Sequence, residues 1–259
     1  MMRVRYWLPL AFTLVGTSCE TTTVEVAAAA MISHVDGDVG LDLPSASGAS
    51  LGNLKLGASE LGIDDTELRP YLRGDIRTGS FNVGVSALYH DDDSTTTLTR
   101  PFGQIAAGRS VNAELQLINV KTIASYDIID TGFLRLAPAI LFDVISLDVE
   151  ARDIGASPAV FLEEVTNLLY APMPAAVAEV NFGKFGAEVE FGGINADFGD
   201  GSGTIVDLAA KVRATPFERF DAWLGFRYIK TDVLGRADGS PFDADLDFFG
   251  YFLGGSYTF

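Results

Sequence analysis

The chain has 259 residues, of which 48% are apolar and 20% charged, and it contains a single cysteine. This composition excludes a disordered chain and a disulfide-rich scaffold. The formal net charge of −17 disfavours a nucleic-acid partner, because an acidic surface repels phosphates. A mean hydropathy of +0.24 beside that charge indicates that apolar and acidic residues are segregated in space.

Residues 1–18 are typical of a secretory signal peptide. Arg3 and Arg5 give the positive start, residues 7–16 form an apolar stretch, and small residues at 16–18 suit a cleavage site. Removal of the two arginines makes the net charge of the mature chain −19.

The only cysteine, Cys19, follows the predicted cleavage site directly. Two interpretations remain open at this position. Ordinary processing leaves a free thiol, whereas residues 14–19 also resemble an imperfect bacterial lipobox, in which Cys19 carries a diacylglycerol anchor. In either case we predict one mature domain over residues 19–259.

A membrane-spanning helix is not predicted. Beyond the signal peptide, the longest uncharged stretch, residues 165–178, has about 14 residues, whereas a helical span needs ~20. Instead, apolar and polar residues alternate with period two, the pattern of strands whose two faces meet different surroundings. In chain order the predicted strands cover residues 24–34, 68–77, 81–90, 118–126, 134–144, 176–182, 187–191, 206–215, 223–233 and 249–259.

Two of these strands are irregular. The alternation slips in phase near Leu117, which predicts a β-bulge. Pro138 interrupts another strand and is tolerated only where a ladder donor is dispensable.

The connections between the strands alternate between short and long. Short turns are predicted at residues 78–80, 130–132, 183–184 and 216–219, and long links at 36–66, 91–110, 150–171, 197–203 and 232–247. The long links hold 20 acidic and five basic residues. This rhythm predicts an all-β fold, a single up-and-down antiparallel transmembrane β-barrel of about ten strands, with eight or twelve as alternatives.

Alternation alone also fits a secreted barrel with an apolar interior. The C-terminal strand argues for the membrane, because it ends at Phe259 with Tyr257 and Leu253 on the same face. It resembles the terminal assembly signal of small Gram-negative outer-membrane β-barrel proteins. The resemblance is strongest over residues 67–90, 173–191 and 220–259.

This resemblance implies a location in the bacterial outer membrane, with both mature termini in the periplasm. The implied partners are outer-membrane lipids, lipopolysaccharide and the barrel assembly machinery, which reads the C-terminal strand. The sequence does not indicate an oligomeric state.

Charged residues of both signs occupy the predicted inward face. Such a set either pairs to plug the lumen or lines a narrow pore, and mixed signs favour the plug. The predicted lumen network comprises Arg69, Arg73, Asp75, Arg77, Lys121, Arg135, Asp143, Glu179, Glu188, Glu190, Asp207, Lys211 and Arg213.

His90, Asp92 and Ser94 are the weak candidates for catalysis. A histidine beside acidic and hydroxyl groups at a barrel rim resembles the sites of omptin proteases, which use an Asp/His-activated water, and of lipid A deacylases, which use a His–Ser pair. General-base catalysis requires that such groups converge, so a histidine beside a solvated acidic loop is the stronger interpretation.

Asp243, Asp245 and Asp247 are weak candidates for binding a divalent cation. The aspartates at residues 36–38 and 91–93 are candidates of the same kind, but none of these groups has the spacing of a defined calcium loop. Solvated loops are the stronger interpretation.

Residues 157–169 break the strand pattern and predict a short amphipathic helix in an outer loop, because Ser157-Pro158 suits a helix start and apolar residues follow at helical spacing. No motif indicates a cofactor or a named enzyme. The sequence therefore predicts a non-enzymatic surface barrel, with a narrow channel or an outer-leaflet hydrolase as alternatives.

Overall fold

Ten long strands form a closed antiparallel barrel. The computed structural model describes residues 22–41, 55–102, 105–155, 162–198, 201–237 and 240–259. Each long strand pairs with its neighbours along the chain, and the last pairs back with the first, which confirms the predicted ten-stranded up-and-down barrel. The elements are β1 Thr22–Leu41, β2 Lys55–Gly57, α1 Ala58–Leu61, β3 Glu67–Thr78, β4 Phe81–Thr97, β5 Ser110–Tyr126, β6 Ile129–Asp130, β7 Leu134–Asp153, β8 Leu162–Phe182, β9 Phe185–Phe198, β10 Gly201–Phe217, β11 Phe220–Ala237 and β12 Ser240–Thr258.

Two strands, β2 and β6, are short and pair at the margins of the barrel wall with β1 and β7. The predicted signal peptide and Cys19 lie outside the described residues. In the described part of the chain no helix has the length and hydropathy needed to cross a membrane.

The four predicted short turns lie at one end of the barrel, here called the turn end. Gly79 and Gly183 adopt φ of +55° and +68°, which two-residue hairpin turns require and glycine supplies without strain. The last residue, Phe259, donates its backbone N–H to the carbonyl of Val24 at 2.9 Å. Both ends of the described barrel therefore lie at the turn end.

The strands are longer than predicted. Nine of the ten have 14 to 21 residues, because most of the predicted links at 150–171, 197–203 and 232–247, and part of those at 36–66 and 91–110, continue the strands. Residues 91–97, for example, belong to β4, which pairs with β5 through Thr97 and Ser110. Most of the described acidic residues of these links therefore lie in the barrel wall rather than in loops.

The predicted helix at 157–169 is wrong for the part that is described. Residues 162–169 belong to β8, and Val165 pairs with Val149 of β7. Residues 157–161 lie outside the described part. Hydrogen bonds to the long neighbouring strand outweigh a helical spacing that extends over only a few apolar residues.

The phase slip near Leu117 is not a bulge. Strand β5 pairs with β4 and β7 without a register shift, and side chains alternate inward and outward along its whole length. Leu115 and Leu117 point inward and are buried, whereas Ile118 and Val120 point outward and are exposed. The apolar residues of β5 move from the inward to the outward face near Leu117 because the two parts of the strand lie in different surroundings.

The same change occurs around the barrel. In the half beside the turns, the outward side chains are apolar and exposed, and we call them the lipid-facing band. In the other half, here called the projecting half, most outward side chains are polar and most inward ones are apolar. The lipid-facing band lies in residues 24–32, 68–76, 81–89, 118–126, 134–144, 170–182, 185–191, 206–217, 220–228 and 249–257.

Strand pairing places the boundary between the lipid-facing band and the projecting half at the same height on neighbouring strands. The last apolar outward pairs include Tyr89–Ile118 and Tyr228–Phe249, and the next outward pair on each ladder is polar. A stretch of about 9–11 residues is what a tilted strand needs to cross a membrane, and most segments of the band approximate this length.

The projecting half has an apolar core that fills its interior. The segment of β2 and α1 folds against β1 and β4 and buries Leu56, Leu61 and Ile63 completely. Phe102 and Ile105 are also buried in this half. The barrel therefore has the interior of a water-soluble protein above an inside-out membrane segment.

Candidate functional site

An ionic layer fills the barrel inside the lipid-facing band. At its centre the ammonium of Lys121 lies 2.9 Å from a carboxylate oxygen of Asp207 and 2.8 Å from one of Glu190. The guanidinium of Arg227 contacts Asp207 at 2.5 Å and Asp143 at 3.4 Å. Each of these five side chains is buried.

Arg73 connects this centre to the next residues toward the turn end. Its guanidinium lies 2.7 Å from Asp75 and 2.6 Å from Glu190. Lys211 contacts Glu188 at 3.1 Å. Since every carboxylate here has a cationic neighbour, the layer largely compensates the cost of burying its charges.

The layer opens at the turn end into a polar cavity of about 240 Å³. Arg135 lines it and contacts Asp127 at 2.6 Å and Glu179 at 3.2 Å. Arg213 lies 2.9 Å from the same Glu179. Arg77, at the margin, contacts Asp127 at 2.8 Å. The cavity is a mouth at this end of the barrel, and its lining carries both signs of charge.

The structure brings together every predicted lumen residue except Arg69. The side chain of Arg69 lies where β3 no longer pairs with β4, and it reaches Asp91 of the outer wall at 2.6 Å. Arg69 therefore lies apart from the ionic layer, where it pairs with Asp91 instead.

Sequence reasoning missed Arg227, Asp127 and Asp221. Arg227 is fully buried and shares inward parity with Trp223, opposite the outward Leu224 and Phe226. That alternation could have identified Arg227 as an inward residue. Farther along β11, however, the charged residues point outward, so charge alone does not mark the inward face of the whole strand.

His90 lies just above the lipid-facing band and points inward. Its Nδ1 lies 2.8 Å from the Ser33 hydroxyl, and its ring packs edge-on against Phe248. Burial lowers the pKa of His90 to about 4, and the positive charge of Arg69 adds to this effect. His90 is therefore neutral at physiological pH.

Asp92 and Ser94 share the inward face of β4 with His90, but neither is shown hydrogen-bonded to it. Asp92 accepts a hydrogen bond of 2.8 Å from the backbone of Asp65, and burial raises its pKa. Gly62 approaches Ser94 so closely that a Cβ at residue 62 would lie 2.7 Å from its hydroxyl. The segment after α1 therefore covers this candidate site.

The candidate metal ligands Asp243, Asp245 and Asp247 point outward in the projecting half. Lys55 lies 2.8 Å from Asp243, and Lys230 lies 3.0 Å from Asp245. Among the described residues, no three His, Cys, Asp or Glu side chains are grouped to hold a metal ion. These aspartates instead belong to an acidic outer wall.

That wall is strongly acidic in the projecting half. The outward aspartates and glutamates whose side chains are described include Asp36, Asp38, Asp91, Asp93, Glu114, Asp148, Glu150, Asp232, Asp243, Asp245 and Asp247. Outward basic residues on the same strands include Arg152 and Lys230.

The residues of the predicted assembly signal belong to the lipid-facing band and its end. Leu253 and Phe259 are 65% and 69% exposed, and Tyr257 packs edge-on against Phe259. They form an apolar edge at the end of β12.

The chain aligns over most of its length with solved structures of other proteins. The Escherichia coli outer membrane protease OmpT aligns with a TM-score of 0.57 at 8% identity, over 92% of this chain and 97% of that chain. The Neisserial surface protein NspA aligns with a TM-score of 0.42 at 11% identity, over 93% and 100% of the two chains. A Pseudomonas aeruginosa FadL homologue aligns at 0.38 and 9%, over 92% and 90%.

No protein-family model and no curated protein matches the chain. The OmpT alignment, the closed barrel and the lipid-facing band show the fold of a small Gram-negative outer-membrane β-barrel. A fold shared at this identity does not carry an activity with it.

Proposed function

We propose that the protein is a closed, non-enzymatic barrel of the bacterial outer membrane that displays an acidic wall at the cell surface. In this proposal the turn end and both termini face the periplasm, and the projecting half extends outside the cell. The observation that carries the proposal is the filling of the interior. The paired ionic layer lies within the membrane, and an apolar core lies above it.

The two layers oppose conduction for different reasons. A hydrated ion entering the ionic layer has to displace paired charges such as Lys121–Asp207, and unpaired buried charges are costly. An ion entering the projecting half meets a core of completely buried apolar side chains, among them Leu56, Leu61 and Ile63, and such a hydrophobic layer opposes the passage of a hydrated ion.

Planar-bilayer recording of the purified protein tests this function. We expect no ohmic single-channel steps from the natural sequence. A K121A/R227A variant is expected to stay closed as well, because the apolar core remains in place. Regular conductance steps from the natural protein would overturn the closed-barrel proposal and establish the narrow channel instead.

The hydrolase alternative has less support. His90, Asp92 and Ser94 share a face, but Asp92 binds the Asp65 backbone and Ser94 lies under Gly62. A catalytic base and nucleophile need an accessible, mutually oriented pair. Loss of a hydrolytic activity on lipid A or on a peptide in H90A would contradict the non-enzymatic proposal.

The acidic wall suggests how the protein meets lipopolysaccharide. Carboxylates repel lipopolysaccharide phosphates unless divalent cations bridge the two, and such cations prefer oxygen ligands from several sources. We expect purified lipopolysaccharide to bind in the presence of Mg²⁺ and to dissociate on addition of EDTA. Binding that is unchanged by EDTA would refute this mode of contact.

The exposed C-terminal edge suggests recognition by the barrel assembly machinery. We expect F259A to reduce the amount of protein in the outer membrane of cells while the purified variant still refolds in detergent. Equal amounts of both proteins in the membrane would exclude a role for Phe259 in assembly.

A further inference from the structure

An apolar groove crosses the lipid-facing band beside the turn end. It has a volume of about 530 Å³ and spans the wall from β8 to β12. Its floor is low because small outward side chains, including Ala187, Ala214 and Ala222, lie between large ones. The larger outward residues that line it are Phe182, Phe185, Val212, Leu224 and Leu253, and Arg213 and Trp223, whose side chains belong to the barrel interior, also contribute to the lining.

The hairpin turn from β8 to β9 borders this groove through Phe182 and Phe185, and the turn from β10 to β11 joins the strands that carry Ala214 and Ala222. Each turn carries a cation between two phenylalanines. The turn from β8 to β9 reads Phe-Gly-Lys-Phe over residues 182–185, and the turn from β10 to β11 reads Phe-Glu-Arg-Phe over 217–220. The four rings are 40% to 71% exposed. Hydrogen bonds from Thr215 to Lys184 and from Thr258 to Arg219 fix the two turns against the adjacent strands.

Among the described residues, the cations at these turns have no carboxylate partner. Lys184 and Arg219 are both exposed, and in the described part of the chain neither lies within salt-bridge distance of an aspartate or glutamate. The cations of the ionic layer, in contrast, are paired. Two unpaired cations at the membrane surface above an apolar groove match an anionic headgroup attached to an acyl chain.

We propose that this groove binds one acyl chain of an anionic glycerophospholipid, whose phosphate is held by Lys184 and Arg219. The groove lies within the lipid-facing band, so its occupant is a membrane lipid rather than a soluble ligand. In the orientation proposed above, this leaflet is the periplasmic one. The binding itself does not depend on that orientation.

Native mass spectrometry of the full mature protein in detergent micelles tests the proposal. The probes are phosphatidylglycerol and, as a zwitterionic comparison, phosphatidylcholine with the same acyl chains. We expect one retained phosphatidylglycerol and weaker retention of phosphatidylcholine. Each neutralised cation is expected to weaken phosphatidylglycerol binding about fivefold, and K184Q/R219Q together about 25-fold.

Matched variants separate the two parts of the site. A214F fills the groove and should abolish retention of both lipids, whereas A124F places the same ring on the lipid-facing side of β5 and should leave retention unchanged. E218Q lies in the same turn as Arg219 and should not weaken binding. K184Q/R219Q changes only exposed turn residues, so it remains informative if A214F fails to fold.

Three outcomes would overturn the proposal. The first is the absence of a retained lipid on the natural protein. The second is equal retention by the natural protein and K184Q/R219Q. The third is a dimer that A214F dissociates, because the groove would then be covered by a second copy of the chain. Failure of the closed-barrel proposal would appear instead as conductance steps, so the two tests are independent.

Discussion

Replacement of Arg227 by methionine tests whether the ionic layer is held by mutual compensation. The guanidinium of Arg227 is fully buried between Asp207 and Asp143. Without it, Asp207 keeps Lys121 at 2.9 Å, but Asp143 keeps only the side-chain amide of Asn119 at 3.1 Å as a described partner. One buried carboxylate is thus left without a cation in contact.

The expected cost follows from that loss. Removing one partner of a buried ion pair destabilises a protein by about 3–5 kcal/mol, mainly because the remaining charge stays desolvated. We therefore expect R227M to lower the free energy of unfolding by this amount. The matched control is R152M, since Arg152 pairs with Glu150 on the exposed outer wall and such a pair contributes only about 0–1 kcal/mol.

A second substitution tests the cause. If the uncompensated charge of Asp143 is responsible, D143N in the R227M background should recover at least about 1 kcal/mol, although D143N alone removes a favourable contact. Contacting residues of one network are expected to couple in this way.

Denaturant unfolding in detergent micelles measures these differences, with the m-value as a check on the unfolded state. Trp223 is buried against Phe252 and Tyr71 and reports on the barrel interior by fluorescence. Equal costs for R227M and R152M, or no recovery in R227M/D143N, would refute the compensation argument.

Three further predictions concern the projecting half and its boundary. The pKa of His90 is about 4 in the folded chain and near 6.5 in the unfolded chain, so the unfolded state binds more protons between these two pH values. The free energy of unfolding is therefore expected to fall by about 3 kcal/mol from pH 7 to pH 4. In pH-dependent unfolding, H90Q should lack this part of the fall. G62A should destabilise the barrel by about 1–3 kcal/mol, since residue 62 has φ of +71° and no room for a Cβ, and more than G108A, which has a similar φ but open surroundings; equal costs would exclude the close contact as a cause. A fluorophore on Q116C should be quenched by aqueous iodide and one on V120C by brominated lipid, and the reverse result would misplace the membrane boundary.

The barrel and most of the ionic layer were predictable because both depend on residue parity. In β10, Asp207, Lys211 and Arg213 alternate with Val206 and Leu208, which separates the two faces of the strand without knowledge of neighbouring strands. The C-terminal strand then favours the charged face as the inward one. Which charges pair was not predictable. Lys121 and Asp207 are 86 residues apart and meet only because the barrel closes.

The boundary between the two halves shows why the remaining predictions failed. Along a single strand, a bulge and a change of surroundings produce the same shift of apolar residues from one parity to the other, as at Leu117. Register distinguishes them, because a bulge belongs to one strand, whereas a membrane surface must cross all strands at one level. On the β4–β5 ladder the first polar outward pair, Asp91–Gln116, follows the apolar pair Tyr89–Ile118. On the β11–β12 ladder the polar pair Lys230–Asp247 follows the aromatic pair Tyr228–Phe249 in the same way. When the phase shifts of paired strands are compared, the acidic links are recognised as continuations of the strands. The phase slip near Leu117 is then recognised as the membrane boundary rather than a bulge.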